Sequence, residues 1–385
     1  MKNAKALLIA LISIVVSSLA CSQVSRPAQL PTPTASVYAT AISAGGAHAC
    51  ALLSNGKVKC WGANEAGRLG DGTLTNHSTP VEIPDLANVI AISAGGAHTC
   101  ALLDSSEVKC WGDNQYGQLG DGTKAYKLTP VSVPNLRDVN FLSAGRRHTC
   151  AVLKDGRALC WGANINGNIG IGSASLSVKS PAEVKGLTTG LPAISAGNDF
   201  TCALTDNGNI KCWGENIYGQ IGDNTTTNRK LPADVAALAR DIRSVSTGFS
   251  TSCAVTKDER VLCWGWIGME DYYTTPHEIK GLQSNITAVA VGGDHICGLT
   301  SNATVKCLGG NKYGQLGNGI NNETYTAATV KGLDNVISIT ANYGYTCALT
   351  STGEVFCWGQ NESGQLGNGT NTNSSQPVQV AGLTE

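Results

Sequence analysis

The chain has 385 residues, and its 27 lysines and arginines nearly balance its 28 aspartates and glutamates. A nucleic-acid-binding protein needs a basic face, and neither this balance nor any local run of charge supplies one, so we expect no nucleic-acid partner. The length alone would allow two or three domains, but an internal repeat overrides that estimate.

Residues 1–20 are typical of a secretory signal peptide. Lys2 and Lys5 precede an apolar run that is too short to cross a bilayer as a helix, and small residues end the segment at Ala20. Cys21 follows at once, which resembles a bacterial lipoprotein signal, in which this cysteine is lipidated and becomes the mature N-terminus. Ordinary signal cleavage after Ala20 is the alternative.

Residues 21–36 are predicted to be a tether. From Ser22 to Ser36 the chain is rich in proline, serine, threonine and glutamine. Such a composition cannot bury enough apolar surface to fold, and it extends by roughly 3 Å per residue. We therefore expect contact with a membrane only through a lipid anchor on Cys21.

Seven repeats occupy the remaining residues, 37–385. Each repeat carries one cysteine and a second cysteine ten positions later, and the first cysteines follow one another at steps of 44 to 52 residues. The pairs are Cys50 and Cys60, Cys100 and Cys110, Cys150 and Cys160, Cys202 and Cys212, Cys253 and Cys263, Cys297 and Cys307, and Cys347 and Cys357. The fifteenth cysteine is Cys21, and this arithmetic favours its lipidation.

The repeats predict short β-strands. Apolar residues alternate over runs bounded by glycine, proline, asparagine and aspartate, and no helical pattern of useful length is present. In the second repeat the runs predict strands over Val89–Ala94, Thr99–Leu103, Val108–Gly112 and Val131–Val133. Four strands in each of seven units predict an all-β fold, a seven-bladed β-propeller of four-stranded antiparallel blades.

The cysteine spacing fits a hairpin. A three-residue turn containing Asn55 and Gly56 would place Cys50 opposite Cys60, at a Cα separation that a disulfide accepts. We therefore expect one disulfide in each blade. Two cysteines on neighbouring strands give only half a zinc site, so a metal is disfavoured. Disulfides also indicate an oxidising compartment, in agreement with the signal peptide.

A tryptophan and a glycine-rich loop follow the second cysteine. The tryptophan is present in six repeats, the sixth repeat has Leu308 instead, and a large flat side chain at this position predicts packing between blades. In the first repeat the loop covers residues 64–72, where we expect Leu69 to enter the core. Asp71 and Asp121 suit turns, because no repeat has the carboxylate spacing of a calcium loop.

These residues resemble the repeats of the regulator of chromosome condensation family. The family pattern stands here as Ala94-Gly95, His98–Leu102, Trp111-Gly112 and residues 114–120. The resemblance covers all but about the first 36 residues. The founding member is a nuclear exchange factor for a small GTPase, other members are binding platforms, and a secreted bacterial β-lactamase inhibitor is similar in architecture. None of the founding member's catalytic residues maps onto this chain, so we predict no catalytic residue and no cofactor.

Two sets of loop positions depart from the repeat and are our candidate partner-binding residues. The first set lies before the second strand of its repeat and comprises Arg146, Arg147, Asp199, Phe249, Asp294 and Tyr343. The second set lies in the fifth repeat, which loses the Gly-Gln-Leu-Gly loop, and comprises Trp266, Met269, Tyr272 and Tyr273. Clustered tryptophan and tyrosine are typical of protein-binding hot spots. The alternative is a degenerate repeat that repacks with larger side chains.

One further position invites a metal hypothesis, which we reject. It holds His48, His98, His148 and His295 in four repeats, but Phe200, Thr251 and Tyr345 in the others. Phenylalanine cannot ligate as imidazole does, so we expect structural histidines.

The sequence as a whole predicts a non-catalytic, monomeric, extracytoplasmic protein, either secreted or lipid-anchored in a bacterial cell envelope. We expect one face of the propeller to bind another protein, for example a secreted or surface protein. A protein inhibitor of a secreted enzyme such as a β-lactamase and a nucleotide-exchange regulator are the alternatives. An enzyme that uses the central channel is the least supported.

Overall fold

The computed structural model describes residues 31–34, 36–187, 190–238, 241–268 and 272–384. The predicted signal peptide, Cys21 and Met269 lie outside the described residues. Every regular element within these ranges is a β-strand, and there are 28 of them. None of these residues forms a helix with the length and apolar character needed to span a membrane.

The first four blades contain strands β1 to β16. In chain order these are β1 (Ala39–Ala44), β2 (His48–Leu53), β3 (Val58–Gly62), β4 (His77–Glu82), β5 (Val89–Ala94), β6 (His98–Leu103), β7 (Val108–Gly112), β8 (Lys127–Ser132), β9 (Val139–Ala144), β10 (His148–Leu153), β11 (Ala158–Asn164), β12 (Ser175–Glu183), β13 (Ala193–Ala196), β14 (Phe200–Leu204), β15 (Ile210–Gly214) and β16 (Arg229–Asp234).

The last three blades contain strands β17 to β28. These are β17 (Ile242–Thr247), β18 (Thr251–Thr256), β19 (Val261–Trp266), β20 (Tyr272–Glu278), β21 (Ile286–Val291), β22 (His295–Thr300), β23 (Val305–Gly309), β24 (Thr324–Thr329), β25 (Val336–Asn342), β26 (Tyr345–Thr350), β27 (Val355–Gly359) and β28 (Ser374–Gln379).

Each blade is a four-stranded antiparallel sheet made of four consecutive strands, which confirms the predicted seven-bladed propeller. The first strands of neighbouring blades contact one another around the central axis, so the fourth strands are outermost. One strand prediction was wrong in its limits. The fourth strand of the second blade is Lys127–Ser132 rather than 131–133, because a register shift opposite Cys110 and Gly112 lets the pairing resume earlier in the sequence.

The cysteine hairpins have the predicted register. Cys50 lies opposite Cys60 and Leu52 opposite Val58, and Gly56 takes the positive φ of 76° that the turn requires. All seven cysteine pairs form disulfides within their own blades, with Cα atoms 4.0 to 4.1 Å apart. Their side chains are fully buried, so each bridge lies inside the core that it staples.

The tryptophans join neighbouring blades, as predicted. The indole Nε1 of Trp111 donates a hydrogen bond of 2.9 Å to the carbonyl oxygen of Arg68, in the loop of the preceding blade. The same bond is made by the five other tryptophans at the equivalent position, Trp61, Trp161, Trp213, Trp264 and Trp358. Leu69 and its equivalents in the other loops are fully buried, so each loop anchors one blade on the next.

The ring closes without exchange of a strand between the terminal blades. Strand β1 packs directly against β25 and β26, and residues of both blades share one apolar core. Ala39 donates its backbone N–H to the carbonyl of Gly353 at 3.2 Å, and the Tyr345 hydroxyl donates to the carbonyl of Gly45 at 3.0 Å. The seam therefore depends on side-chain contacts that the sequence pattern did not reveal.

The outermost strands are protected against pairing with another chain. Six of them carry proline one residue before the partner of the second cysteine, as Pro80 does in β4. In β24 this position is Ala327, whose N–H donates to the carbonyl of Lys280 at 3.4 Å. Proline at an edge removes a backbone donor and disfavours pairing with another strand, which is consistent with the predicted monomer.

Candidate partner-binding face

The described members of both candidate sets lie at the same end of the propeller. In an antiparallel four-stranded blade, the loop between the first and second strands and the loop between the third and fourth strands leave the sheet on one side. We call this end the loop face, defined by these two loops of every blade. The turns between second and third strands, and the connections between blades, form the opposite face.

Three candidate residues meet at the mouth of the central channel. The guanidinium of Arg146, from the third blade, lies over the ring of Phe249 in the fifth blade, 5.6 Å from its centroid. Phe249 in turn packs edge-to-face on Tyr343 of the seventh blade, with ring centroids 5.9 Å apart. Arg146 also donates to Oδ1 of Asn198 in the fourth blade at 3.2 Å. The cluster therefore joins four blades.

The four residues of this cluster occupy one equivalent position, two residues before the second strand. Gly46, Gly96 and Gly293 fill that position in the other blades. In each of the first six blades, the residue at this position donates its backbone N–H to a loop carbonyl of the following blade. Arg146, for example, donates to the carbonyl of Gly197 at 3.0 Å. The position therefore lies on the rim of the channel in every blade.

Tyr343 holds an unusual backbone conformation. Its φ is +37°, in the left-handed region that side chains rarely adopt, and its N–H donates to Oδ1 of Asn342 at 2.9 Å. Asn342 also donates through Nδ2 to the carbonyl of Ala44 at 3.1 Å across the ring seam. Strain of this kind costs about 1 to 2 kcal/mol, and it persists only where the surrounding structure enforces it.

Arg147 and Asp199 occupy the next position and form a second group. The Arg147 guanidinium lies 3.6 Å from a carboxylate oxygen of Asp199, and it stacks 5.3 Å from the ring centroid of Tyr116. Glu215 lies close by and accepts from Asn166 at 3.2 Å. Burial, followed by repulsion from Asp199, raises the pKa of Glu215, although both arginines oppose the shift. These charges therefore compensate one another within the face.

Asp294 supports a neighbouring loop. Its carboxylate accepts from Nε2 of Gln315 at 3.0 Å. Burial acts to raise the pKa of Asp294, but contacts with His295 and Gln315 outweigh it and hold that pKa below its ordinary value. Asp294 lies on the loop face at the position equivalent to Arg147 and Asp199, and its carboxylate contacts a loop of its own blade.

The fifth-blade residues form an aromatic patch further out on the loop face. Tyr272 is 47% exposed and lies edge-to-face on Tyr218 of the fourth blade, which is 40% exposed, with centroids 6.2 Å apart. Tyr273 stacks on His277 at 4.0 Å. Trp266 ends β19, is half-buried, and donates its backbone N–H to the carbonyl of Ser250 at 2.9 Å. Two aromatic rings thus remain accessible to a partner.

Sequence reasoning missed Tyr116, Ile217 and Tyr218 as members of this face. Ile217 and Tyr218 are exposed in a loop that keeps the repeat pattern, so they did not stand out as departures. One sequence pattern could have indicated two of them. The second residue after the asparagine of the glycine-rich loop is a tyrosine in three repeats, namely Tyr116, Tyr218 and Tyr313.

The histidines at the equivalent repeat position are buried and have a structural role. His98 Nε2 lies 2.8 Å from Oγ1 of Thr149, whose hydroxyl already donates to the carbonyl of Gln118, so the imidazole Nε2 carries the proton. The Nδ1 atoms of His48, His98 and His148 are buried without a hydrogen-bond partner in the described structure. Burial lowers the pKa of His98 and of His148 to about 3. These imidazoles are therefore neutral at physiological pH.

The loop carboxylates also have a structural role. Asp71 accepts the backbone N–H of Thr73 at 2.9 Å and Nδ2 of Asn64 at 3.1 Å. Burial alone would raise the pKa of Asp71, but these hydrogen bonds outweigh it and lower that pKa. Asp121 makes the same contacts in the second blade. In the part of the chain that the structure describes, no three histidine, cysteine or acidic residues are grouped as metal ligands.

A family model decides the relationship of the chain to known proteins. The model of the regulator of chromosome condensation (RCC1) repeat matches residues 39–68, 89–118, 139–168, 193–220, 242–266, 286–315 and 336–365. These segments cover more than half of the chain, and each begins with the first strand of its blade. The chain belongs to the RCC1 repeat family. The resemblance inferred from the sequence is therefore confirmed.

Several known proteins are similar to this chain in part of the sequence or in the fold. The chain is 31% identical over 139 residues to the E3 ubiquitin-protein ligase HERC2 of Homo sapiens. The matched segment covers 34% of this chain and 3% of HERC2. The chain thus spans a small fraction of that relative. Human WBSCR16 has a similar structure, with a TM-score of 0.77 at 22% identity over 85% of this chain and 94% of that one. Prp20p of Saccharomyces cerevisiae is also similar in structure, with a TM-score of 0.74 at 22% identity over 84% of this chain and 85% of that one.

Proposed function

We propose that this RCC1-repeat propeller is a non-catalytic, extracytoplasmic scaffold that binds another protein through its loop face. The observation that carries the proposal is the meeting of Arg146, Phe249 and Tyr343, from three different blades, at the channel mouth. Arginine, tyrosine and tryptophan are enriched in protein-binding hot spots, and aromatic side chains offer large contact areas at a low entropic cost.

The uneven distribution of side chains over the loop face supports this proposal. The first two blades present Gly46-Ala47 and Gly96-Ala97 at the rim, whereas the third to fifth blades present arginine, asparagine and phenylalanine. The accessible rings of Tyr218 and Tyr272 lie in the same sector. Repeat architecture alone would make every blade alike, so a sector with its own chemistry favours one specific partner.

The strained tyrosine gives independent support. Of the seven residues at this position, Tyr343 alone has a positive φ, at +37°, and it keeps a large side chain there. A side chain that stays despite such strain is typical of functional sites.

Related propellers are consistent with a protein partner. The structure of Prp20p was described together with its binding properties to Gsp1p and histones. A nucleotide-exchange role would need a cytosolic location for this chain, and seven buried disulfides oppose that location.

The same disulfides support the proposed location outside the cytoplasm, with Cys21 as the lipidated N-terminus. The intact mass of the native protein, measured with and without reduction before alkylation, tests this part of the proposal. We expect a mass that starts at Cys21 with lipid added, and fourteen thiols that react only after reduction. An unlipidated, reduced chain that retains residues 1–20 would contradict it.

A comparison of two variants tests the binding function. The loop-face variant carries Arg146→Ala, Phe249→Ala and Tyr343→Gly. The control variant carries Arg137→Ala and Lys257→Ala on the opposite face, where both side chains are more than 60% exposed. Each protein is immobilised and exposed to envelope and secreted proteins of the producing cells, and bound proteins are quantified by mass spectrometry.

We expect at least one protein to bind the wild type and the control variant equally and to lose at least 90% of its signal on the loop-face variant. Equal capture by all three chains would refute the proposed face. If the captured protein is an enzyme, inhibition by the wild type but not by the loop-face variant would identify the chain as a protein inhibitor.

A further inference from the structure

A small cavity lies beneath the cluster at the channel mouth. Its polar and aromatic lining comes from Arg146, Asn198, Thr247, Phe249, Asn342 and Tyr343, and Val291 with glycine and alanine residues of the rim completes it. The cavity volume is about 50 Å³. Since a water-sized group needs about 10 to 15 Å³ of such volume, the cavity admits three or four non-hydrogen atoms.

The lining of the cavity carries one charge, which also interacts with the carboxylate of Glu215 outside that lining. Arg146 is the only charged residue in its lining, and no carboxylate takes part in that lining. Among the described residues Arg146 forms no ion pair, whereas the adjacent Arg147 lies 3.6 Å from a carboxylate oxygen of Asp199. One hydrogen bond, to Asn198 at 3.2 Å, uses one of the five N–H donors of the Arg146 guanidinium.

The guanidinium is held in place before any ligand arrives. The backbone N–H of Arg146 donates to the carbonyl of Gly197 at 3.0 Å, and the guanidinium carbon Cζ lies 5.6 Å from the centroid of the Phe249 ring. Stacking on an aromatic face orients the donor fork, and a donor that is already oriented loses little entropy on binding.

We propose that the channel mouth receives the carboxylate of an aspartate or glutamate side chain of the partner protein, paired with Arg146. A carboxylate has three non-hydrogen atoms, so it matches the cavity in size, and its two oxygens match the donor fork of a guanidinium. A larger part of the ligand cannot enter, so the remainder of the partner lies across the loop face, where Tyr218 and Tyr272 are exposed. This inference rests on the proposed protein-binding function and adds the chemistry of recognition.

A peptide selection tests the inference without knowledge of the natural partner. A phage-displayed library of random, disulfide-constrained twelve-residue peptides is selected on the folded wild-type chain. The best clones are synthesised, and their affinities are measured for the wild type, for Arg146→Gln and for the matched variant Arg147→Gln. Each acidic residue of a clone is also replaced by its amide, Asp by Asn or Glu by Gln.

We expect one acidic residue to be essential in the selected peptides. Its amide replacement weakens binding to the wild type at least tenfold but changes binding to Arg146→Gln less than twofold, because the carboxylate then has no partner. Arg147→Gln keeps most of the affinity. Arg146→Lys keeps the charge without the fork and gives an intermediate affinity. Circular dichroism and the protection of fourteen cysteines from alkylation confirm that each variant is folded.

Two results would overturn the inference in different ways. Peptides that lose binding on Phe249→Ala but tolerate replacement of every acidic residue would leave the protein-binding face in place and refute the carboxylate. Peptides that bind Phe249→Ala, Tyr343→Gly and the wild type alike would contradict the proposed function itself, and the carboxylate pairing with it.

Discussion

A Cβ atom on Gly70 would lie 2.6 Å from the indole Nε1 of Trp111 in the next blade. The loop of one blade thus passes directly over the tryptophan of its neighbour, and that tryptophan donates to the carbonyl of Arg68 in the same loop. Gly120 and Trp161 repeat the contact one blade further on. The glycine and the tryptophan are therefore two parts of one contact between blades.

This contact predicts the cost of adding one methyl group. Gly70 and Gly186 share a φ of +78°, but a Cβ on Gly186 would meet nothing within 4 Å. Both alanine substitutions carry the strain of a left-handed residue, about 1 to 2 kcal/mol. Gly70→Ala should lose a further 1 to 3 kcal/mol to overpacking against Trp111, measured as the free energy of unfolding in urea with disulfides intact. Equal losses in the two variants would mean that the loop and the indole adjust freely.

The sixth blade predicts that the tryptophan and the loop depend on each other. Leu308 replaces the tryptophan in this blade, and it faces the fifth blade, which lacks the glycine-rich loop. Leu308 packs in one buried cluster with Ile267 and Ile296. Leu308→Trp should destabilise the fold by about 1 to 3 kcal/mol, because the buried cluster around Leu308 has no room for the larger indole. Trp358→Leu should cost about 2 to 5 kcal/mol, because it leaves a cavity under an intact loop. Thermal unfolding in which Leu308→Trp raised Tm would count against this pairing.

The buried histidines predict that the fold weakens in acid. The pKa of His98 is about 3 in the folded chain, against an ordinary value of 6.5, so the unfolded chain binds more protons between these limits. Stability should therefore fall as pH drops from 6.5 towards 3, by up to about 1.4 kcal/mol per pH unit for this histidine.

The variant His98→Phe isolates that contribution, because phenylalanine occupies the equivalent position at Phe200. At pH 7.5 its stability difference from the wild type reports the lost hydrogen bond to Thr149. Between pH 6 and 4 its stability in urea should fall less steeply with decreasing pH, by about 1.4 kcal/mol per unit. Parallel curves for the two chains would show that the histidine takes up its proton without unfolding.

Tyr343 predicts a conflict between stability and binding. Glycine removes the strain of a φ of +37°, so Tyr343→Gly should leave the free energy of unfolding unchanged or raise it by about 1 kcal/mol, despite the lost contact with Phe249. Binding at the loop face should fall at least tenfold. Tyr38→Gly is the control, since Tyr38 is half-buried, precedes β1 at the opposite face and is outside the left-handed region, and it should lose stability and keep binding. A Tyr343→Gly chain that binds normally would remove this tyrosine from the site.

The sequence alone determined the repeat, the number of blades and the register of the cysteine hairpin. These features are local, because Cys50 and Cys60 face each other once one short turn is specified, and every blade repeats that turn. The tryptophan positions also indicated contacts between blades, since only packing explains one large flat side chain per unit. The limits of the fourth strand were less predictable, because a register shift after Cys110 follows from packing rather than from propensity.

Only the tertiary structure decided which candidate residues act together. Arg146, Phe249 and Tyr343 are 94 to 197 residues apart and belong to blades that are not neighbours, so no local pattern places them in contact. The curvature of the closed ring brings one loop position of each blade to a common axis. That closure is a property of all seven blades at once, and for this reason the channel mouth and the charge of Arg146 within it became visible only in the folded chain.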